Sequence, residues 1–447
     1  MRPRVAAVCY LAALFGTGCA QSTAPYANER SAARQFSRTT GYAETVLHRF
    51  KSSPDAASPE AGVFADKVGN IYGTTIAGGT HPTCPNGYGK GCGTVFSIDA
   101  AGKEHLVYSF AGDPDASEPF AGLLRSGGVF YGTTAVGGAY YPCYTYGALG
   151  CGAVFKIDRR GSESLLYSFK GNFGSGVVDG QGPMGGLVAD AAGNLYGTTP
   201  FGGQNETGTI FKITKQGAET VLYSFKDETD GGRPYSGVIR DSAGNLYGVA
   251  YFGGESACTG GCGTIFELKA SRAFKTLYSF TGGDDGGNPL GGMVMDAAGN
   301  LYGTAQNYGN LSCNKRGGNP GCGTVFELNT KHKLTVLHEF AGDPDGAVPS
   351  ESLIIDANDN LYGTTSFGGD NNCNGGYSCG TVFEAPSRGS EYVIHTFTGG
   401  KKDGEVPYGP VARDAAGNLY GTTVSGGIGP CNRGCGIVFK LSPGPTL

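Results

Sequence analysis

The chain has 447 residues, 81 of them Gly and 22 Pro, with 39% hydrophobic and 11% aromatic side chains. Glycine at this density excludes a mainly helical protein, because each mid-helix Gly costs ~1 kcal/mol against Ala. The apolar content excludes a disordered chain, and a net charge of -5 gives no reason to expect a nucleic-acid partner.

Residues 1–20 read as a signal peptide. Arg2 and Arg4 form a basic start, and Val5 to Phe15 form an apolar run too short for a membrane span. Two cleavage readings stand side by side. Gly16-Thr17-Gly18-Cys19 is close to a lipobox, making Cys19 a candidate for lipidation; Gly18-Cys19-Ala20 is a small-x-small site for ordinary signal peptidase. Residues 21–42 lack periodicity and suit a flexible tether.

From residue 43 to 442 one unit repeats seven times. Its most regular part, Asn194-Leu195-Tyr196-Gly197-Thr198-Thr199, recurs around Tyr72, Tyr131, Tyr247, Tyr302, Tyr362 and Tyr420. Each copy holds four short β-prone runs, A to D, exemplified by Gly186–Asp190, Asn194–Thr199, Gly208–Thr214 and Thr220–Phe225. A tight turn whose Gly suits positive φ joins A to B. Phe recurs at one place in every C run and closes every D run, which reads as core filling.

Seven four-stranded antiparallel units predict an all-β, seven-bladed β-propeller. The first unit opens with a lone D run, Glu44 to Phe50, and the last stops after its C run, Gly436 to Leu441. The N-terminal strand is therefore expected to complete the last blade, removing the exposed edges of an open array. Residues 443–447 are a short tail.

In such a meander the short A–B and C–D turns share one face and the long B–C and D–A loops share the other, where binding is expected. Twelve Cys fall in pairs in six B–C loops: Cys84/Cys92, Cys143/Cys151, Cys258/Cys262, Cys313/Cys322, Cys373/Cys379 and Cys431/Cys435. With a signal peptide, even pairing reads as six local disulfides in an oxidising compartment. The spacings and the lack of accompanying His argue against zinc.

Catalysis should appear as a break in the repeat. His48, His338 and His395 take the D-run place held elsewhere by Tyr108, Tyr167, Tyr223 and Tyr278, and read as packing or hydrogen-bonding substitutes. In every D–A loop an Asp precedes a Pro by four residues, as in Asp345 and Pro349. An Asp capping its own turn explains this without calcium. In the second copy Tyr140, Tyr141, Tyr144 and Tyr146 crowd one B–C loop and are the candidate binding residues.

The unit G-x-V-x-D-x-x-G-N-L-Y-G-T-T-x-x-G-G, followed by C-G-T-V-F-x-L, resembles the GloVer tandem repeat of bacterial exported proteins described as choice-of-anchor. The resemblance covers roughly residues 43–442 and departs at Val129-Phe130-Tyr131 and at Gln306-Asn307-Tyr308-Gly309. It implies export and surface display, and carries over no catalytic residue.

The expected function is a non-enzymatic binding module for a glycan, peptide or protein, acting through the B–C and D–A loops. The alternative is an extracellular lyase or hydrolase with carboxylates at the central channel, and a structural envelope protein without a specific ligand is the third reading. No cofactor and no metal site are expected. A monomer is expected at the cell surface, as a periplasm-facing lipoprotein or secreted, touching membrane only through an N-terminal lipid.

Overall fold

The computed structural model describes residues 41–444, apart from 82–83, 85–90, 141–142, 144–149, 159, 172–177, 228, 255–256, 314–319, 370–372, 374–377 and 387–389. The expected signal peptide with Cys19, nearly all of the expected tether, residues 445–447, and Tyr141, Tyr144 and Tyr146 lie outside the described residues.

The described residues form seven four-stranded antiparallel sheets, each running A-B-C-D in order. Blade 3 shows the pattern: A is Val188–Ala189, B Leu195–Thr199, C Thr209–Ile213 and D Glu219–Ser224. The A strands are two or three residues long, shorter than the runs that foretold them. The tight Asp-Ala-Ala-Gly-Asn turn takes up the rest: Gly193 N–H donates to the Asp190 carbonyl, and the Asp190 side chain accepts the Asn194 N–H. Gly193 sits at φ 83°.

Closure follows the offset of the chain ends. Ala43–Arg49 pairs with Ile437–Ser442 as the outermost strand of blade 7, in the sheet that also holds Leu419–Thr423 and Ala412–Arg413. The seven-bladed propeller is thus a closed ring.

The repeated aromatics form the joints between blades. The Phe ending each D strand packs edge-on against the C-strand Phe of the following blade, as in Phe225 and Phe266 at 5.2 Å; Phe397 and Phe439 do the same at 5.1 Å. Phe50 and Phe96 repeat the joint across the closure, at 5.2 Å. These rings are fully buried. They also explain the Gly after the B-strand Tyr: a Cβ on Gly197 would lie 2.7 Å from Phe211 Cζ.

A second joint lies nearer the axis. The Thr directly after the B-strand Tyr-Gly pair donates its hydroxyl to a carbonyl of the next blade's D–A loop, as from Thr304 to Glu351 and from Thr422 to Ala61 across the closure. Blade 4 carries Val249 at this place and forgoes the bond.

Candidate axial site on the loop face

The six predicted Cys pairs are all disulfides. Cys84–Cys92 and Cys143–Cys151 each span 8 residues of sequence, Cys258–Cys262 and Cys431–Cys435 span 4, Cys313–Cys322 spans 9 and Cys373–Cys379 spans 6. Each closes a short B–C loop and is worth ~2–3 kcal/mol in the chain-entropy model. Six bridges of this kind belong to an oxidising environment.

The D–A loops are built to the same plan seven times. The Asp of each accepts a backbone N–H from the residue after the D-strand Phe, from Lys51 to Asp55 in one loop and from Thr398 to Asp403 in another. Four Tyr hydroxyls donate to these Asp: Tyr108 to Asp115, Tyr167 to Asp179, Tyr223 to Asp230 and Tyr278 to Asp285. His338 reproduces the contact with Asp345 at 3.1 Å. His48 and His395 do not: the Nε2 of each is buried with no hydrogen-bond partner. The substitution of His for Tyr is thus a like-for-like exchange at one place out of three.

The residue before each repeated Pro lies in the left-handed region, and only Gly182 among the seven is a glycine. Val348 and Val406 sit at φ 61° and 60°, where a β-branched residue is strained. Two backbone bonds hold the strain in place. In blade 2 Glu118 N–H donates to the Cys92 carbonyl of blade 1, and its own carbonyl accepts the Ala135 N–H. Val348 bonds Cys322 and Ser366 in the same way. The disulfide loop of one blade is therefore clamped to the D–A loop of the next.

The second Cys of each pair thus does more than the sequence reading allowed, which gave residues such as Cys151 and Cys435 a bridging role alone. The structure bears out the bridges and adds to them. The Cys151 carbonyl accepts the Gly182 N–H of the next blade at 2.9 Å, and the Cys435 carbonyl accepts the Ser58 N–H at 2.9 Å across the ring closure. Both side chains are also core residues: Cys151 packs with Phe169 and Phe211, and Cys435 with Phe50 and Phe96. Pairing is written in the spacing of the cysteines, whereas the clamp needs the neighbouring blade in place. In the copy without a disulfide, Thr207 supplies the carbonyl for Arg233.

These clamps bring the side chains beside the repeated Pro to the axis on the loop face, and here the seven-fold rule breaks. Glu118 precedes its Pro, Glu60 follows its own, and Glu351 lies two past a third, where the other blades have Ala, Gly or Ser. Glu60 and Glu118 are buried. Burial pushes the Glu60 carboxyl up to about 7. Burial and then the charge of Glu60 push Glu118 to about 8. The same two causes, in the same order, raise Glu351 well above the ordinary carboxylate range. One sector of the rim, from blades 6, 1 and 2, therefore gathers carboxyls that hold protons near neutral pH.

Blades 3 and 4 supply the contrasting sector. The Arg233 guanidinium lies 4.9 Å from the Phe201 ring centre and 5.9 Å from that of Phe252. Tyr235 and Tyr251 meet edge-on at 5.6 Å, and Tyr251 and Phe252 at 4.8 Å. A hydrogen-bonded chain leads from this cluster toward the acidic sector. Tyr251 donates to Gln306 Oε1 at 3.2 Å, and Gln306 Nε2 donates to Ser350 Oγ at 3.1 Å, next to Glu351.

Of the four tyrosines singled out in the sequence, Tyr140 alone is described. It is exposed, with Lys170 Nζ 5.4 Å from its ring centre. Lys170 directly follows Phe169 at the end of a D strand, which puts Tyr140 by the outer edge and away from the axial residues. The axial residues themselves were overlooked. Lining up the residues that flank the seven Pro would have shown Glu60, Glu118 and Arg233 as unrepeated.

A family model described as the Gloeobacter/Verrucomicrobia repeat matches residues 137–313 and 311–446. No curated protein matches the chain. Solved structures of similar architecture include a gluconolactonase from Xanthomonas campestris, 13% identical over 65% of this chain and 78% of its own, at a TM-score of 0.35. A luciferin-regenerating enzyme is 10% identical over 90% and 95%, at 0.41. A Dyadobacter fermentans protein of unknown function is 11% identical over 89% and 96%, at 0.43. Likenesses this distant carry no functional argument.

Proposed function

The chain belongs to the Gloeobacter/Verrucomicrobia repeat family, and from that premise we propose that it is an exported, surface-displayed, non-enzymatic binding module. Its ligand is a glycan, taken at the axial rim of the loop face. The observation that carries this reading is the pairing of two unlike sectors of unrepeated residues on a rigid, clamped rim. Carboxyls that keep their protons both donate and accept hydrogen bonds, as sugar hydroxyls require. On the other side the partly exposed Arg233 offers a cation, held against the buried rings of Phe201, Tyr235 and Tyr251. Disulfide-closed, clamped loops lower the ordering cost of binding.

A glycan array probed with the full chain tests this reading. Arg233→Ala is expected to weaken binding to the captured glycan by at least tenfold, on the order of 1.4 kcal/mol. No captured glycan, or capture unchanged by this variant, overturns it. The second reading is a glycan lyase or hydrolase, favoured by one observation: Glu60 and Glu118 hold their protons close to neutral pH, as a general acid must. Release of reducing ends by the wild type, lost in Glu118→Gln, would establish it.

A further inference from the structure

Around the rim of the propeller, away from the axis, each seam between blades brings together three places of the repeat. These are the D-strand Tyr or His, the D–A loop Asp, and the residue that starts the next blade's D strand. In the four Tyr seams the phenol donates to the Asp. The third residue there is Glu163, Glu219, Phe274 or Leu334. The three His seams are all completed by Glu: His48–Asp55–Glu104, His338–Asp345–Glu391 and His395–Asp403–Glu44. In each, one ligand atom per residue lies within 4.8 Å of the other two.

We propose that these three His–Asp–Glu seams are binding sites for a divalent transition cation such as Zn2+. An imidazole nitrogen is a good ligand for such a cation, whereas a phenol is a poor one. In two seams that nitrogen, Nε2 of His48 and of His395, is buried and has no hydrogen-bond partner. In the third, the Glu391 side chain is 4% exposed, its Oε2 lies 3.5 Å from His338 Nε2, and its Oε1 is buried without a partner.

The spacing fits an ion. Four-coordinate bonds of about 2.0–2.2 Å separate neighbouring donor atoms by roughly 3.3 Å. His338 Nε2 lies 3.1 Å from Asp345 and 3.5 Å from Glu391, and His48 Nε2 lies 3.6 Å from Asp55. With the ion bound and the ligands deprotonated, two carboxylates and a neutral imidazole would carry the -2 that a divalent cation balances. Backbone N–H groups already orient the carboxylates: Lys51 and Ala56 on Asp55, Ala341 on Asp345, Thr398 and Gly404 on Asp403.

Two of the three sites flank the strand that closes the ring. Glu44 and His48 both belong to Ala43–Arg49, one reaching back to blade 6 and the other forward to blade 1. Bound cations would staple the closing strand to both neighbours.

The test is built into the repeat, since Tyr is the residue that four other seams use. Tag-free full chain is stripped with a chelator and titrated with Zn2+ by calorimetry, with metal analysis after dialysis. Three Zn2+ per chain are expected, with one lost in His338→Tyr and all three lost in the His48→Tyr, His338→Tyr, His395→Tyr variant. Zn2+ should also raise the Tm of the wild type and leave that of the triple variant unmoved. The absence of saturable uptake by the wild type, or uptake that persists in the triple variant, overturns the proposal. Should the triple variant misfold, Glu391→Leu, which copies the Leu334 seam, must remove one equivalent by itself.

Discussion

The rim and the axis of this propeller are made from the same seven loops and obey opposite rules. At the rim the Asp never varies, and the D-strand place facing it is always a Tyr or His. At the axis, a few residues further along, Glu60 stands where other blades have Phe120, Met184, Tyr235, Leu290, Ser350 or Tyr408. The rim repeats the same backbone-capped Asp seven times, so variation at that Asp is penalised in stability. The clamp at the axis uses backbone N–H and C=O groups, which leaves the side chains free to differ. Stability is thus held by repetition, while specificity is left to the places where repetition is not required.

Three measurements can break or sharpen this contrast. The largest effect is expected from the repeated joint. Phe211→Ala removes a fully buried ring lying over Gly197 and against Phe169, and should cost about 3–5 kcal/mol by denaturant titration. A loss below ~1 kcal/mol would mean that the blades are joined in some other way.

An intermediate, pH-dependent effect belongs to the Tyr seams. Glu163 is raised to about 7 by burial and by Asp115, with a hydrogen bond from Tyr108 opposing. Glu219 is raised to about 8 by burial and by Asp179, with Lys170 opposing. A carboxyl raised on folding contributes its full stability below its unfolded value of about 4.5 and loses it as pH climbs through the folded value. Stability should therefore fall between pH 4.5 and 8. Discounted for solvent screening, the loss is about 1 kcal/mol per seam. Glu163→Leu with Glu219→Leu, which copies the Leu334 seam, should flatten the pH dependence of Tm in proportion. An unchanged slope would place the proton uptake elsewhere.

The smallest effect is expected at the axis. Glu118→Gln keeps the shape of a carboxyl that already holds its proton near neutral pH, so stability at pH 7 should move by less than ~0.5 kcal/mol. A loss comparable to that of Phe211→Ala would show that Glu118 is a structural residue, and the contrast between rim and axis would fall.

Much of this was legible residue by residue. The Tyr-Gly pair, the two Phe of each unit and the paired Cys were visible because each repeats at a fixed spacing, and each has a local physical reason. Gly197 clears space for a ring, and Cys258 and Cys262 lie four apart in one loop. The second role of Cys151 and Cys435 was not visible, because the N–H groups they accept belong to another blade. The A strands came out shorter than their runs because the turn after them uses part of the segment for its own hydrogen bonds. The axial Glu60, Glu118 and Glu351 were not legible as a group. They lie far apart along the chain, and their shared charge matters only once three separate blades set them around one axis.

The sequence by itself determined the blade, the number of blades, the bridges and the strand that shuts the ring. All of these are local patterns or counts of local patterns. Only the tertiary structure decided which side chains meet across the seams and at the axis. Glu44 finds Asp403, and Thr422 finds Ala61, through the angle accumulated over the whole ring. That angle is set by the packing of seven Phe joints together, and no single repeat contains it.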